Sequence, residues 1–525
     1  MPRATSSHVL PDVRRTDRRG SVKRLRTGKL YAGAAAAGAF MLLAGCSCYH
    51  KPYRTAKPER GVAPEVHFIE ADDQGWFWNP EQGTEALQAV RDAAEAGDTV
   101  VVTFVHGWHH LAGCCDGNLA GFKEILVRLD GQLRRDMYRV ARQEIHGAMA
   151  VGEVRVIGIY IGWRGRSLPG WLDYLTFWGR KSAAERVGEA DFQEFMIRLR
   201  NLHEEHQRPR SAGEPPSRSN LFGMVTIGHS FGGQVVLRAT STYLEHKLAR
   251  INDAPGYLRS ATPPPPRPAP KEAPISGFGD LVVLVNPAVE AAAYQKLHAL
   301  SRLAFPQEQW PLVLTLSAVN DGPRQRLFRW GRIAGEIFTG KPRVEARERN
   351  LERNSLGFAS EQVTHVVKAV DADRVLVKQP LEQRPDPQCS ECEKRTFDWY
   401  DWKDDGKAKH ESDSLSADIC AFPPASQPQN LAEAVASIQQ HDFSGRTVFS
   451  DVVLDVKPGA PALPHQAFVV ADVAPNVIDG HNGMFSRPLM DFLTTYIGFA
   501  EAKRLLPQLP RDAIPDPRSC YGQVK

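Results

Sequence analysis

Short runs of consecutive apolar residues recur along the chain, and between them apolar residues are spaced three or four positions apart. The runs are rich in β-branched side chains and too short for most helices, and they cover residues 99–105, 154–161, 221–227, 281–285 and 312–316. Strands that are apolar on both faces are typical of a parallel sheet covered by helices. These runs therefore predict five strands of such a sheet.

The intervening segments predict helices. Residues 183–202 and 231–248 carry apolar side chains at helical spacing between two predicted strands. Strands that alternate with helices predict an α/β fold with a mostly parallel, doubly wound sheet and helices on both faces. We expect one catalytic domain over residues 62–525, interrupted by loop or cap insertions: a proline-rich exposed loop at 262–274 and a cysteine-containing insertion at 379–429.

The amino-terminal segment has the layout of a secretory signal. Nine Lys or Arg and two Asp precede Gly45, so this leader carries a charge of +7. The whole chain has a net charge of +4, so the rest of the chain carries −3. An apolar run of about 15 residues follows the basic stretch and is shorter than a spanning helix needs. Because the basic charge belongs to the leader, no nucleic-acid partner is predicted.

The apolar run ends in Leu43-Ala44-Gly45-Cys46, which resembles the lipobox of bacterial lipoprotein precursors. The resemblance implies a signal peptide over residues 1–45, an acylated Cys46 as the first mature residue and a polar tether over residues 46–61. Ser47 follows the cysteine where an Asp would indicate retention at the inner membrane. We therefore expect a protein of the cell envelope, anchored by its lipid to the outer membrane. An ordinary signal peptide or a short anchor helix with an incidental cysteine remains the alternative.

Seven cysteines remain besides Cys46, and in an exported protein most of them are expected to form disulfides. Two groups resemble metal sites in composition. The first group does not have the spacing of a zinc module and contains His109, His110, Cys114, Cys115 and Asp116. The second could form a zinc knuckle in a cytosolic protein, but disulfides are favoured in an exported one; it contains Cys389, Cys392, His410 and Cys420. We expect a disulfide from Cys114 or Cys115 and a disulfide-stapled insertion. No metal and no organic cofactor is predicted.

The strongest chemical signal is Gly228-His229-Ser230-Phe231-Gly232. A Gly-x-Ser-x-Gly turn between a strand and a helix lifts the serine hydroxyl above the sheet, and glycines are needed where neighbouring elements leave no room for a Cβ. Here the apolar run 221–227 precedes the turn and an amphipathic pattern follows it. Ser230 is therefore predicted to be a nucleophile, with the following helix amino terminus close to a developing oxyanion.

At these residues the chain resembles the α/β-hydrolase superfamily. GHSFGG resembles its nucleophile elbow, and VVTFVHGW resembles its oxyanion strand and loop. The resemblance implies the α/β-hydrolase fold, a catalytic triad in the chain order Ser, acid, His, and an oxyanion hole formed by the backbone N–H groups of Phe231 and Trp108. Gly107 would leave room for the substrate carbonyl. His106 is expected to support this turn rather than act in catalysis.

The acid should follow a late strand. Asp321 lies a few residues beyond the run 312–316, in a turn rich in Asn, Asp, Gly and Pro. A carboxylate there can accept from the base and fix its tautomer. Asp371 and Asp373 are the alternatives.

The base should come later still. His481 lies in the loop Asp-Gly-His-Asn-Gly, after the strand-like segment 466–473 and before a closing helical pattern. In the resembled family the catalytic histidine occupies such a loop. The alternatives are His465, which is the main rival, His365 and His441.

These residues predict a serine hydrolase that cleaves small-molecule or lipid carboxylic esters, in the manner of a carboxylesterase or lipase. Thioesterase, amidase and acyltransferase chemistry would use the same site. The alternative from another class is an envelope lipoprotein that keeps the fold for binding or scaffolding without turnover. The aromatic stretch 163–178 either lines an acyl pocket or packs on the core. The sequence identifies no protein partner.

Overall fold

The computed structural model describes residues 52–54, 64–135, 154–168, 172–173, 176–207, 220–251, 274–300, 305–306, 309–333, 346–383, 396–403, 445–461, 463 and 465–505. The predicted signal peptide, Cys46 and the predicted proline-rich loop up to residue 273 lie outside these ranges, as do His410, His441 and the cysteines of the predicted 379–429 insertion. None of the helices in the described part of the chain is long and apolar enough to cross a bilayer.

Ten strands form one large, mostly parallel sheet, and two more form a separate ribbon. In chain order the strands are β1 (Glu65–Ala71), β2 (Thr99–Val105), β3 (Arg155–Trp163), β4 (Phe222–His229), β5 (Leu281–Val285), β6 (Val313–Ala318), β7 (His365–Ala369), β8 (Leu376–Glu382), β9 (Thr396–Trp402), β10 (Thr447–Phe449), β11 (Val452–Val456) and β12 (Phe468–Val473). The sheet order is β1-β3-β2-β4-β5-β6-β12-β7-β11-β10. Neighbours are parallel from β1 to β7, and β11 is antiparallel to both of its neighbours, β7 and β10.

Helices cover both faces of this sheet. They are α1 (Pro80–Ala96), α2 (Gly117–Arg135), α3 (Phe177–Glu189), α4 (Asp191–Gln207), α5 (Phe231–Ile251), α6 (Gln295–Leu300), α7 (Ala346–Arg353) and α8 (Arg487–Leu505). Side chains of α2 and α8 share one core cluster with one face of the sheet, and those of α1, α3, α4 and α5 share the other cluster with the opposite face. The predicted α/β class with a mostly parallel sheet is therefore confirmed.

Strand β2 shows why the apolar runs become buried strands. Side chains alternate across a strand, so Val100, Val102 and Phe104 enter one core cluster while Val101 and Val105 enter the other. All seven residues of this strand are buried. A strand with two buried faces needs apolar side chains at nearly every position, which is the pattern that the sequence shows.

The single helix predicted over residues 183–202 is wrong, because the structure has two helices there. Ala190 leaves the helical conformation, with φ −106° and ψ −134°, and α4 begins at the next residue. The turn after β1 packs into this break: a Cβ on Gly75 would lie 2.6 Å from the Ala190 Cβ, and the Phe77 N–H donates to Asp191 Oδ2 over 2.8 Å. A contact with a segment more than a hundred residues away thus divides the helix.

The described part of the 379–429 insertion is an antiparallel ribbon of β8 and β9, which begins three residues earlier, at Leu376. Phe397 and Trp399 of β9 join the core cluster that contains α2 and α8. The ribbon is therefore packed on the domain beside the helices, although it adds no strand to the main sheet.

Candidate active site

The predicted site residues come together at the edge of the sheet where the parallel strands end. Ser230 directly follows β4, Asp321 is the third residue after β6, and His481 lies in a longer loop after β12. The oxyanion segment directly follows β2, which pairs with β4 in register. Because parallel neighbours end at the same edge, the segments that follow four strands bring the predicted site residues to this carboxyl edge.

Ser230 occupies a sharp turn between β4 and α5. Its φ is +55°, in the left-handed region that non-glycine residues seldom adopt. The turn is held by hydrogen bonds from the Ser230 N–H to the Val285 carbonyl at 3.0 Å and from the Ala288 N–H to the Ser230 carbonyl at 2.9 Å. The strained conformation is therefore fixed by the neighbouring strand β5 and the loop after it.

Two glycines of this turn are required by close approach. A Cβ on Gly232 would lie 2.1 Å from the Val105 carbonyl oxygen, and a Cβ on Gly228 would lie 2.6 Å from the Gly232 carbonyl oxygen. Both distances are shorter than any side chain tolerates. The start of α5 can thus pass directly against the end of β2, which brings the serine beside the oxyanion segment.

A continuous hydrogen-bond chain joins the three predicted catalytic side chains. Ser230 Oγ lies 2.8 Å from His481 Nε2, and His481 Nδ1 lies 2.7 Å from Asp321 Oδ2. With the Nδ1 proton donated to the carboxylate, Nε2 is the acceptor for the serine hydroxyl. His481 is half-buried and Asp321 is fully buried. The arrangement can remove the proton from Ser230 and return it to a leaving group.

A buried arginine holds the acid. Arg324 Nε lies 2.5 Å from Asp321 Oδ2, and the Arg324 backbone N–H donates to Asp321 Oδ1 over 3.0 Å. Burial alone would raise the pKa of Asp321, but the Arg324 charge and the hydrogen bond with His481 outweigh it and hold the pKa well below its ordinary value. Asp321 is therefore an anion at any pH at which the protein would work.

The guanidinium of Arg324 also connects Asp321 to the loop that contains His481. Its Nη2 donates to Ser317 Oγ at 2.8 Å and to Asn286 Oδ1 at 3.2 Å. The Asn286 Nδ2 in turn donates to the His481 carbonyl at 2.9 Å. The Asn286 residue has φ +46° directly after β5. Two side chains thus connect the ends of β5, β6 and the histidine loop.

Sequence reasoning missed both Arg324 and Asn286 as site residues. The only signals were an Asn before Pro287 at a strand end and an Arg three positions after the acid. Asn320 was also missed: it accepts from the Gly480 N–H at 2.9 Å and donates to Asp479 Oδ1 at 2.8 Å. These contacts become visible only when the loops after β5, β6 and β12 are brought together.

The predicted oxyanion residues lie beside the serine. A Cβ on Gly107 would be 2.8 Å from the Ser230 Cβ and 3.1 Å from His229 Nδ1, so the backbone there passes directly over the nucleophile. Phe231 is the first residue of α5, where the backbone N–H has no partner within the helix. The rings of Trp108 and Phe231 are 6.1 Å apart. The two residues predicted to form the oxyanion hole are therefore the chain neighbours of Gly107 and Ser230, and their side chains lie close to each other.

His106 is fully buried in the turn before Gly107. The Trp163 N–H donates to His106 Nε2 at 3.1 Å, so the ring carries its proton on Nδ1 and donates it to the Gly107 carbonyl at 2.9 Å. Burial lowers the pKa of His106 to about 4, which keeps the ring neutral. The rings of His106 and Trp163 are stacked with their centroids 5.7 Å apart, so Trp163 supports the turn that contains His106 and Gly107.

His229 is a second buried histidine, next to Ser230. Its Nε2 donates to the His481 carbonyl at 3.2 Å. Burial and then the proximity of His481 lower the pKa of His229 well below its ordinary value. A neutral His229 therefore helps, with Asn286, to hold the backbone of the base loop.

The His and Cys cluster after the oxyanion turn divides into separate pairs. His109 Nδ1 lies 2.6 Å from Asp173 and His110 Nδ1 lies 2.9 Å from Asp116. Cys114 and Cys115 are both disulfide-bonded. No three His, Cys, Asp or Glu side chains within the described ranges are grouped so that they could hold a metal ion.

The alternative acids and bases lie elsewhere. Asp371 accepts from the Asp373 N–H in the turn after β7 and forms an ion pair with Arg374. His365 is buried in β7 with Thr364 as its partner, and His465 lies near Lys503, before β12 begins. The hydrogen bond to Ser230 is made by His481.

The aromatic stretch 163–178 divides between core and surface. Trp163 is buried on His106, and Phe177 packs on Trp108 and Phe231 with ring distances of 5.3 and 5.2 Å. Trp178 remains 40% exposed. Trp171 and Tyr174 lie outside the described residues.

No protein-family model, no curated protein and no solved structure matches this chain.

Proposed function

We propose that the protein is a serine hydrolase that cleaves carboxylic esters through Ser230, His481 and Asp321. The observation that carries the proposal is the unbroken chain from Asp321 Oδ2 through both ring nitrogens of His481 to Ser230 Oγ, with distances of 2.7 and 2.8 Å. The serine of this chain stands at a strained strand-to-helix turn. Such strain is stored where a nucleophile must be presented, and a structural serine has no need of it.

The strand order supports an α/β-hydrolase fold for this sheet. The nucleophile follows β4, the acid follows β6 two strands further on, and the base follows the adjacent strand β12. Nucleophile, acid and base thus occur in the chain order of that superfamily, with the oxyanion segment on the other side of β4, after β2. The ribbon of β8 and β9 is an insertion between acid and base.

In the proposed mechanism His481 Nε2 takes the Ser230 proton while Oγ attacks the ester carbonyl. The N–H groups of Phe231 and Trp108 donate to the oxyanion of the tetrahedral intermediate. Collapse breaks the bond to the alcohol, which leaves with the proton from His481, and an acyl-serine remains. Water then attacks this acyl group with His481 again as base, which releases the acid and regenerates the Ser230 hydroxyl. Asp321 orients the ring and stabilises the imidazolium in both steps.

We further propose that Cys46 is acylated after removal of residues 1–45 and that the mature protein is held at the cell envelope, on the outer membrane. The support is the sequence Leu43-Ala44-Gly45-Cys46 after a short apolar run. Mass spectrometry of the protein purified from membranes tests this directly. A thioether-linked diacylglyceryl group on an amino-terminal Cys46 is expected.

Hydrolysis of p-nitrophenyl esters from acetate to palmitate tests the catalytic proposal. We expect Ser230→Ala to lower kcat by about 10⁴-fold or more, because the nucleophile is lost while the fold is kept. The exposed Ser360 provides the matched control, since Ser360→Ala should leave kcat unchanged. The chain-length profile of the wild type identifies the preferred acyl group.

Labelling with a fluorophosphonate probe provides a second readout that needs no substrate preference. Covalent labelling of wild type and not of Ser230→Ala supports an activated serine. A wild-type protein that resists the probe and hydrolyses none of the esters contradicts the proposal. That result would favour an envelope lipoprotein that uses the fold for binding or scaffolding.

A further inference from the structure

Exposed aromatic and aliphatic side chains concentrate at the carboxyl edge of the sheet. Nine large apolar side chains are exposed among the described residues, and seven of them lie at or beyond the carboxyl ends of β1, β3 and β6. We call the seven the aromatic rim: Tyr53, Trp76, Trp78, Trp178, Val319, Leu327 and Trp330. Trp330 and Trp76 are the most exposed, at 70% and 63%.

The members of the aromatic rim lie at the same edge of the sheet as the candidate active site. Trp76 and Trp78 lie in the turn after β1, Trp178 is in the first turn of α3, and Leu327 and Trp330 belong to the helical segment after Asp321. Phe328 lies on the inner side of that segment, and its ring centroid is 6.4 Å from that of Phe177. Phe177 in turn packs on Trp108 and Phe231. The buried Phe328 and the partly buried Phe177 thus link the rim segment to Trp108 and Phe231.

The chain enters the domain at the same edge. The Arg54 N–H donates to Glu70 near the carboxyl end of β1 at 2.7 Å, and Arg54 Nε donates to the Ala112 carbonyl after the oxyanion turn at 2.8 Å. Seven residue steps separate Cys46 from Tyr53. Even a fully extended chain spans at most about 25 Å over that length. A lipid on Cys46 would therefore keep this edge of the protein close to the bilayer.

The rim also carries unpaired positive charge. Arg326 and Arg329 are exposed on the segment that presents Leu327 and Trp330, and neither forms an ion pair with another described residue. A short helical segment with Arg on its polar side and Trp and Leu beside it is suited to the headgroup region of an anionic membrane. Trp side chains are enriched at that depth because the ring is apolar and its N–H is polar.

We propose that the aromatic rim docks on the surface of the anionic bilayer that holds the Cys46 lipid, so that the mouth of the active site faces the membrane. The proposal rests on lipidation of Cys46 and does not require turnover by Ser230. The lipid anchor supplies attachment, and the rim sets the orientation of the domain. A tethered domain without such a surface would rotate freely above the membrane.

Quenching of tryptophan fluorescence by brominated lipid tests the docking. The full chain, expressed and acylated in bacterial cells, is reconstituted into vesicles of phosphatidylcholine and phosphatidylglycerol, with part of the phosphatidylcholine brominated on its acyl chains. Bromine quenches only tryptophans that reach the acyl boundary. We expect Trp76→Phe/Trp330→Phe to lower the quenched fraction about twofold, because two rim tryptophans are removed.

Trp310→Phe is the matched control. Trp310 lies before β6, at the amino edge of the sheet, and is partly buried. We expect this variant to leave the quenched fraction unchanged, and Ser230→Ala to behave as the wild type does, which separates docking from catalysis. Arg326→Glu/Arg329→Glu should lower quenching in vesicles that contain phosphatidylglycerol.

Three results would overturn the proposal. One is equal quenching in the rim variant and the wild type, and another is an equal loss in the Trp310→Phe control. The third is a Cys46 without acyl chains, because the anchor that brings the rim to the bilayer would be missing. If the rim variant instead converts a dimer to a monomer without a change in quenching, a second copy of the chain covers this edge.

Discussion

Two clusters of the same residue types lie at opposite edges of the sheet. The carboxyl-edge cluster contains Asp321, Arg324 and His481, with His481 Nδ1 2.7 Å from the carboxylate. The amino-edge cluster contains Asp280 and two partners, His203 at 2.8 Å and Arg504 at 3.1 Å. In both clusters an arginine and a histidine hold a buried aspartate whose pKa lies below its ordinary value although burial opposes this.

The difference lies in the partners of the two histidine rings. His481 uses Nδ1 for Asp321 and Nε2 for Ser230 Oγ, and its side chain is 16% exposed. His203 is 7% exposed, and its Nε2 contacts both Asp280 and Gln207. Asp280 also accepts from the Met224 N–H of β4 at 2.7 Å. The amino-edge cluster therefore fastens helices to strands. An Asp, Arg and His assembly becomes a candidate for catalysis only where a turn adds a nucleophile and the sheet edge is open.

Replacing each aspartate should produce the largest contrast. We expect Asp321→Asn to lower kcat on the preferred ester by about 10⁴-fold, because the His481 tautomer is no longer fixed. Asp280→Asn should lower the melting temperature and leave the kcat of the folded protein within about twofold, because no reacting group is touched. Steady-state kinetics and thermal melts check both variants. A comparable loss of kcat in the two variants would show that the clusters do not differ in the proposed way.

Two glycines allow the same comparison with a smaller effect. A Cβ on Gly107 would meet Ser230 and His229, and a Cβ on Gly223 would meet Glu501 Oε2 at 2.8 Å. We expect Gly107→Ala to lower kcat/KM by about 10²-fold, because the oxyanion backbone is displaced. Gly223→Ala should reduce only stability. The interpretation fails if Gly107→Ala keeps full activity at an unchanged melting temperature.

Variants of Arg324 and Arg504 should distinguish an arginine that positions the proposed catalytic side chains from one that only stabilises the fold. Lysine in place of Arg324 keeps the charge but cannot reach Asp321, Asn286 and Ser317 together, so Arg324→Lys should lower kcat about tenfold with KM little changed. Arg504→Lys at the amino edge should leave kcat unaltered. Both values follow from the same ester assay. A rise in KM without a change in kcat for Arg324→Lys would place Arg324 in substrate binding instead.

The smallest expected effect concerns pH. Burial, and then the Asp280 charge, raises the pKa of Glu501 to about 8 from an ordinary value of 4.5. Between those pH values the folded protein keeps a proton that the unfolded chain releases, so stability should fall as the pH rises through this window. Glu501→Gln should remove this dependence and melt a few degrees higher than the wild type at pH 8. Thermal melts from pH 5 to 8.5 measure the slope, and parallel curves for both proteins would exclude this role of Glu501.

Several parts of the molecule could be predicted because they depend on local sequence. Parallel strands with two buried faces need continuous apolar runs, so β2, β4 and β5 were recognisable at once. The strand-to-helix turn at Ser230 has a glycine requirement that appears as a short pattern. The placement of Asp321 and His481 beside Ser230 was expected from loops that follow strands, together with the family resemblance.

Other parts required the tertiary structure. β11 and β10 are short strands that extend the sheet because β11 pairs with β7 and β10 pairs with β11. No periodicity in so few residues distinguishes them from a loop. The division of the predicted helix at Ala190 depends on the turn around Gly75, which is distant in the sequence.

The sequence by itself determined which strands are buried, where the nucleophile turn lies and which side chains are available for its chemistry, because backbone geometry and burial limit residue types locally. Only the tertiary structure decided that Arg324 and Asn286 hold the acid and base loops, that Asp280 and His203 are remote from Ser230, and that the exposed tryptophans gather at one edge. These are distances between segments far apart in the chain, and they are set by the order in which strands pair.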